Sequence, residues 1–599
     1  MTLFTTRPEI LGTFGVVTST HWLATAAGMR MLELGGNAFD AAVASGFVLQ
    51  VVEPHLVGPG GEVPIVFHSA DTGKTEVLCG QGTAPAGATI AHYRAEGLEM
   101  IPGNGLLATV IPGAFDAWML LLRDHGTMEL SEVLAPAIDY AENGHPLLPR
   151  VADTITGLAG FFAKEWPTSA ALFLPGGVAP SADKLFRNPQ LAATWKRIIR
   201  EAESGGSREA RIDKARDCFY RGFVAEAIDR FVRGTEVMDE SGRRHRGVIT
   251  GQDMAGWSAS YDTPQTYDYH GYRVHKIRPW GQGPVFLQTL ALLKGIDIGA
   301  MGPASAEFVH TLTEAMKLAF ADREIYYGDP AFVDVPIDAL LSDTYNDERR
   351  QLIGDKASLE LRPGAIPGYE DQLRRMMQAL SRLSKTADPD AASTEPTLAD
   401  MRSARRGDTV HVDAIDRHGN MVAAMPSGGW LQSSPVIPEL GFMLNSRAQM
   451  YWLEPDLPAS LAPGKLPRTT LTPTLVHKDG RPYMVFGSPG GDQQEQWQLQ
   501  LFLRHVHHGL NLQQAIDTPM SHTAHFPNSF YPRQQKPGHL AVEESFGDDV
   551  ISDLQARGHR LEVAPRWTIG RLVAASRDAD GLLHAAATPR LMQAYAAGR

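Results

Sequence analysis

Residues 409–425 read Thr409-Val410-His411-Val412-Asp413-Ala414-Ile415-Asp416, then Arg417-His418-Gly419-Asn420, then Met421-Val422-Ala423-Ala424-Met425. A period of two puts Val410, Val412 and Ala414 on one face of a strand and Thr409, His411 and Asp413 on the other. Arg417 to Asn420 is turn chemistry, so the apolar run after it reads as the returning strand of a hairpin. The preceding segment, about 385–408 (KTADPDAASTEPTLADMRSARRGD), is polar and almost free of large apolar residues, the composition of a linker. A strand that opens on a hydroxyl residue after such a linker has two readings. Thr409 is an ordinary β residue, or the Asp408–Thr409 bond is cut and Thr409 becomes a new N-terminus. In the second case its α-amine, ordinarily titrating near about 7.7–8.0, accepts the proton of its own hydroxyl and activates it.

Downstream, Thr474 to His477 and Tyr483 to Phe486 flank Lys478-Asp479-Gly480-Arg481 and predict a second hairpin. Its second strand runs through Gly487-Ser488-Pro489-Gly490-Gly491 into a helix expected from near Asp492. Trp497, Leu501 and His505 line one face of that helix, and Gly509 stops it. The Gly490–Gly491 pair is either plain turn geometry or a pair of outward N–H groups at a helix start. The latter are what a developing oxyanion needs. His505, His507 and His508 read as a solvated last turn favoured by the helix dipole, not as a metal site.

Upstream the texture is helical. Two helices between about Thr20 and Val52 break at Gly35-Gly36-Asn37, with Asn37 as N-cap of the second. The loop Gly58-Pro59-Gly60-Gly61 leads into the strand-like Val63 to Phe67, and helical patterns dominate 115–231 and 306–323. The first two thirds are therefore helix-rich and the last third strand-rich, divided at the linker.

With 599 residues and 43% hydrophobic composition, a large core is available, and roughly 150 residues per domain suggests about four domains. A net charge of −13 argues against nucleic-acid or anionic-membrane partners. Two cysteines, Cys79 and Cys218, make neither a disulfide framework nor a cysteine-rich metal site. No signal-peptide pattern and no apolar run of about 20 residues is present, so a cytoplasmic enzyme is expected. Gly58-Pro-Gly-Gly and Gly281-Gln-Gly283-Pro lack a complete dinucleotide-binding fingerprint.

Ten ordered motifs give the chain a resemblance. They include GGNAFDAAVA at 35–44, VVEPHLVGPGG at 51–61, IPGAFDAW at 111–118, EAMKLAFADREIYYGDP at 314–330, TVHVDAIDRHGN at 409–420, LPRTTLTPT at 466–474 and GSPGG at 487–491. Together they resemble the γ-glutamyltransferase family (γ-glutamyltranspeptidase, glutathione hydrolase) of N-terminal-nucleophile hydrolases. The resemblance implies an α+β fold, a four-layer αββα sandwich built jointly by a large subunit 1–408 and a small subunit 409–599 cut from one precursor. It implies Thr409 as nucleophile, His411 in the third position of the family's Thr-Thr-His opening, and Ser427 where the family has a Thr holding the new α-amine. Gly490 and Gly491 match its oxyanion pair, and Thr469 and Thr470 replace two adjacent substrate-contacting serines. No metal or organic cofactor is implied, and the partner is a small-molecule acyl amide.

The departures fall in the γ-glutamate pocket. Gln81 stands where the family has the Arg that pairs with the substrate α-carboxylate, and Gly429 replaces an Asn. Arg447 and Met450 replace the Gln and Asp that read the α-amine. Losing the carboxylate pair removes roughly 1.5–3 kcal/mol per charge-assisted bond, so weak glutathione turnover is expected. Arg447 either contacts a substrate carboxylate or carbonyl from a new position or is structural. Trp430 and Trp452 either wall an acyl pocket or belong to the core. Three substrates compete: a γ-glutamyl compound, a non-glutamyl acyl group as in cephalosporin-acylase-like relatives, and a ketone-like compound cleaved at a C–C bond. The competing class is an unprocessed, non-catalytic ligand-binding relative.

Overall fold

The computed structural model describes residues 4–383 and 409–599. Asp408 and the expected linker, about 385–408, lie outside the described residues.

Two seven-stranded sheets form the centre. The first runs Tyr595–Gly598, Gly15–Ser19, Val412–Asp416, Met421–Ala424, Val63–Ser69, Lys74–Gly80 and Ser260–Asp262. The second runs Ile10–Gly12, Leu583–Ala587, Val573–Arg577, Arg481–Gly487, Thr474–Lys478, Tyr272–Lys276 and Gln265–Tyr269. Both expected hairpins are present, with Val412 opposite Ala424 and Thr474 opposite Phe486. Each sheet takes strands from both sides of residue 408. In the first, Val412–Asp416 pairs on its other edge with Gly15–Ser19, Val412 opposite Ser19. Division by length therefore overstated the number of independent units, because neither side of the linker completes either seven-stranded sheet alone.

The alternation along each strand sorts its residues between two cores. Val16, Val66, Ile415, Met421 and Ala423 of the first sheet meet Leu475, Val485, Val573, Ala575 and Ala585 of the second in an inter-sheet layer. Val410, Val412, Ala414 and Val422 face the other way, into a cluster with the helices Trp22–Glu33 and Ala38–Val52. On the far side, Gly283–Leu293, Ala306–Tyr326 and Gln494–His508 cover the second sheet. The order of layers is helices, sheet, sheet, helices.

Helix boundaries follow local chemistry. The Asn37 side chain accepts from the N–H groups of Phe39 and Asp40 while Asp40 accepts from Asn37, a reciprocal cap. All fifteen residues of Ala38–Val52 are buried, so this helix shows an apolar surface all round instead of a stripe. Gly509 ends Gln494–His508 in the left-handed conformation, φ +62°. Among the described residues no helix is long and apolar enough to cross a membrane.

Candidate active site

Thr409 is fully buried three residues before the strand Val412–Asp416, beside a crossing of two glycine-rich segments. Ser427 forms bridges to both Thr409 and Glu62, exchanging backbone hydrogen bonds with Glu62 at 2.9 and 3.0 Å. The Thr409 Oγ1 and Ser427 Oγ atoms lie 3.2 Å apart. Arg447 Nη2 donates to Ser427 Oγ at 2.5 Å, and its Nε donates to Glu62 Oε1. Arginine has no acceptor, so Ser427 uses a lone pair toward Arg447. The result is a continuous line from Glu62 through Arg447 and Ser427 to Thr409, every member fully buried. Burial pushes the Glu62 carboxyl above its ordinary range while the Arg447 guanidinium pulls it back.

The crossing depends on close backbone approach. A Cβ at Gly61 would stand 2.0 Å from the Ser427 carbonyl oxygen. Gly61→Ala is therefore expected to displace Ser427 and lower turnover by at least about tenfold, as a misplacement of around 1 Å does in a preorganised site. The check is turnover of any cleaved acyl anilide alongside unfolding temperature; unchanged turnover in a folded variant would remove Ser427 from the machinery.

The second half of the site is the loop after Arg481–Gly487. Gly487 lets the His411 ring pack against its Cα, a Cβ there falling 2.3 Å from the ring. Gly490 and Gly491 take φ +129° and +52°, and one 3-10 turn, Gly491–Gln493, precedes the helix Gln494–His508. The helix proper thus starts two residues later than Asp492. No backbone carbonyl among the described residues accepts from the N–H of Gly490 or Gly491. Gln494 Nε2 reaches Thr409 Oγ1 at 3.5 Å, which sets this turn beside the hydroxyl. Asp492 locks the loop from behind: it pairs with Arg323 and accepts from Ser529 N and Oγ at 2.8 and 2.7 Å. Gln282 ties the loop to Thr469, donating from Nε2 to Gly491 O at 3.0 Å and from N to Thr469 O at 3.0 Å.

The polar face of the strand that follows Thr409 does not meet solvent. His411 Nε2 and Asp413 Oδ1 are 2.7 Å apart, Thr18 Oγ1 donates to Asp413 at 2.9 Å, and all three are fully buried. They form a buried polar island in which His411 Nδ1 has no partner.

The remaining expected residues divide. Arg447 and Met450 lie in one 3-10 turn, Arg447–Met450. Met450 packs with Trp430 and Phe530. The Arg447 guanidinium sits over both rings, 4.9 Å from Trp430 and 5.5 Å from Phe530, and its Nη1 has no hydrogen-bond partner. Gly429 is held against the 58–61 loop with φ +68°, a conformation that suits glycine. Thr470 Oγ1 is buried and unpartnered. Gln81 is buried, but its amide donates only to its neighbour, Gly82 O, at 3.3 Å. Trp430 donates to Leu56 O at 2.6 Å and walls the Arg447 site; Trp452 stacks elsewhere, under Arg533.

Sequence reasoning passed over Glu62, Gln494, Phe530 and the Arg323–Asp492 pair. Glu62 carried a signal: a lone carboxylate between Gly-Gly and a buried strand needs a cation, and Arg447 is that cation.

A buried hydroxyl beside a helix-opening glycine turn, with its second hydroxyl held by a guanidinium, is equipped for acyl transfer from an amide or ester. Comparison with known proteins agrees with this class. The gamma-glutamyltranspeptidase family model matches residues 24–598, and the chain belongs to that family of amidohydrolases and acyltransferases. It is 32% identical to the acylase ACY 1 proenzyme of Pseudomonas sp. strain SE83, over 96% of this chain and 92% of that protein. It is 31% identical to the glutathione hydrolase-like YwrD proenzyme of Bacillus subtilis, over 97% and 98%. Among solved structures, LmbA2991HD matches at 53% identity and TM-score 0.92 over 100% of both chains. The cephalosporin acylase of Bacillus halodurans matches at 28% identity and TM-score 0.82, over 100% of this chain and 98% of that one.

Proposed function

We propose that this chain is a self-cleaving amidohydrolase/acyltransferase whose acyl donor is not a γ-glutamyl amino acid. Scission before Thr409 gives the two subunits and frees its α-amine. The Thr409 Oγ then attacks the substrate carbonyl carbon while the α-amine takes the hydroxyl proton. The Gly490 and Gly491 N–H groups receive the oxyanion. Collapse breaks the C–N bond, the departing nitrogen takes the proton, and water or an amine resolves the Thr409 ester. The proenzyme names of the relatives support the scission.

One observation supports the choice of substrate: the Arg447 guanidinium sits over the rings of Trp430 and Phe530, against which Met450 packs, and the resemblance matches Arg447 and Met450 to the residues that read an α-ammonium group in the family. A γ-glutamyl donor would bring its ammonium toward a buried cation, and Gln81 offers its carboxylate no charge. The acylases among the relatives support a non-glutamyl acyl group.

Purified enzyme is expected to prefer the γ-glutamyl 4-nitroanilide over glutaryl or simple acyl 4-nitroanilides by no more than about tenfold in kcat/KM. A large γ-glutamyl preference would overturn the assignment of Gln81, Arg447 and Met450. Gln81→Arg should raise activity on donors that carry an α-carboxylate.

A further inference from the structure

The helix Gln494–His508 carries four buried glutamines in its first two turns, Gln494, Gln496, Gln498 and Gln500. Three of them have both ends of the amide occupied. Gln496 Nε2 donates to Asp492 O and Thr523 O while its Oε1 accepts from Thr523 N. Gln498 donates to Thr472 O and accepts from Thr474 Oγ1. Gln500 donates to Ser521 O and accepts from Ser521 N. Gln494 is the exception. Its Oε1 has no partner, and among the described residues its Nε2 makes one hydrogen bond, 3.5 Å to Thr409 Oγ1. A fully buried amide so short of partners is destabilising at rest, and a partner that arises only during reaction accounts for it.

The position of the side chain fits such a partner. Gln494 N donates back to Gly491 O, which fixes its Cα against the Gly490–Gly491 turn. Trp497 packs on the same turn, a Cβ at Gly490 falling 2.3 Å from its ring. Thr409 Oγ1 therefore stands between two polar groups. Ser427 Oγ, at 3.2 Å, comes from the Arg447 half of the site, and Gln494 Nε2 comes from the glycine half. When Oγ adds to a carbonyl, Oγ and the oxyanion are bonded to the same carbon, so a donor on the glycine side of Oγ lies beside the atom on which charge develops. At 3.5 Å the resting contact is too long to hold the hydroxyl firmly. Catalytic hydrogen bonds that are long at rest tighten in the reacting complex.

We propose that Gln494 is a catalytic residue whose Nε2–H joins the Gly490 and Gly491 N–H groups in receiving the oxyanion. The inference deepens the proposed acyl-transfer reading and rests on it. As the bond from Thr409 Oγ to the carbonyl carbon forms, the carbonyl π pair moves onto oxygen, and Nε2 donates to that oxygen without giving up its proton. The pair returns to the carbonyl when the C–N bond breaks. The same donor then serves the second tetrahedral intermediate, formed when water or an amine resolves the Thr409 ester.

The test measures kcat and KM on butyryl and glutaryl 4-nitroanilides, counted per split chain. Gln494→Met keeps the length of the side chain and removes the donor. It should lower kcat and kcat/KM together by at least about tenfold, with KM within about threefold, as loss of a bond made only in the transition state does. Gln494→Glu places a carboxylate there and should be at least as slow at neutral pH. As pH falls that carboxyl takes up a proton and offers an O–H donor, so kcat of Gln494→Glu relative to wild type should climb. The same ratio for Gln494→Met should stay flat, because the titration of the α-amine is common to all three enzymes and cancels. A Gln494→Met enzyme with wild-type kcat, or a Gln494→Glu ratio that does not change with pH, would overturn the role. If Gln494→Met fails to split, the Gln494→Glu ratio decides alone. A wild type that does not split, or cleaves neither anilide, would instead sink the acyl-transfer reading.

Discussion

Thr409→Ala is expected to persist as one chain of 599 residues and to lose acyl-amide turnover by at least about 10³-fold. The alanine removes the only atom that attacks in the proposed mechanism. It leaves untouched the Arg447–Glu62 pair, the Gly490–Gly491 turn and the His411–Asp413 island, since none of them bonds to the methyl group. Unfolding temperature should therefore stay within a few degrees of wild type while both cleavage and turnover vanish. Thr409→Ser keeps the hydroxyl and should retain both, at reduced rates. A Thr409→Ala protein that still divides into two polypeptides would mean that another group performs the scission. Turnover at wild-type rates would mean that another nucleophile does the chemistry.

Arg447→Met has the second largest expected effect, and it is a stability effect as well as a kinetic one. Arg447 and Glu62 are both fully buried, and Arg447 also donates to Ser427 Oγ. Removing the guanidinium leaves a carboxylate without its cation in a dry interior, a loss of roughly 3–5 kcal/mol. The pair itself gives no such net gain, because desolvation opposes the attraction. Hence Arg447→Met combined with Glu62→Gln should recover most of the lost stability, and denaturant unfolding of the two single variants and the double variant measures this directly. Turnover should not recover in the double variant, because Ser427 still lacks its donor. Recovery of both quantities would reduce Arg447 to a structural role. Recovery of neither would place the pair's importance elsewhere in the fold.

Much of the architecture was legible before the structure. The Asn37 cap, the Gly509 stop, both hairpins and the strand after Gly61 followed from turn residues and from a period of two, which are local signals. Sheet order was not legible, because pairing of Gly15–Ser19 with Val412–Asp416 spans almost 400 positions and leaves no mark on either segment. The clean alternation at 409–416 predicts one apolar and one polar face, and both faces proved buried, with His411 Nε2 and Thr18 Oγ1 both bonded to Asp413.

At the site, residue types disclosed the hydroxyls and the glycine turn. They did not disclose where Arg447 points. That depends on Glu62, 385 positions away, whose charge the sequence shows without showing its partner.

Intact mass and N-terminal sequencing of freshly purified, active enzyme test the central claim most directly. The account predicts two polypeptides, 1–408 and 409–599, the second beginning with a free α-amine on Thr409. A backbone continuous across residues 408 and 409 in material that turns over substrate would contradict it.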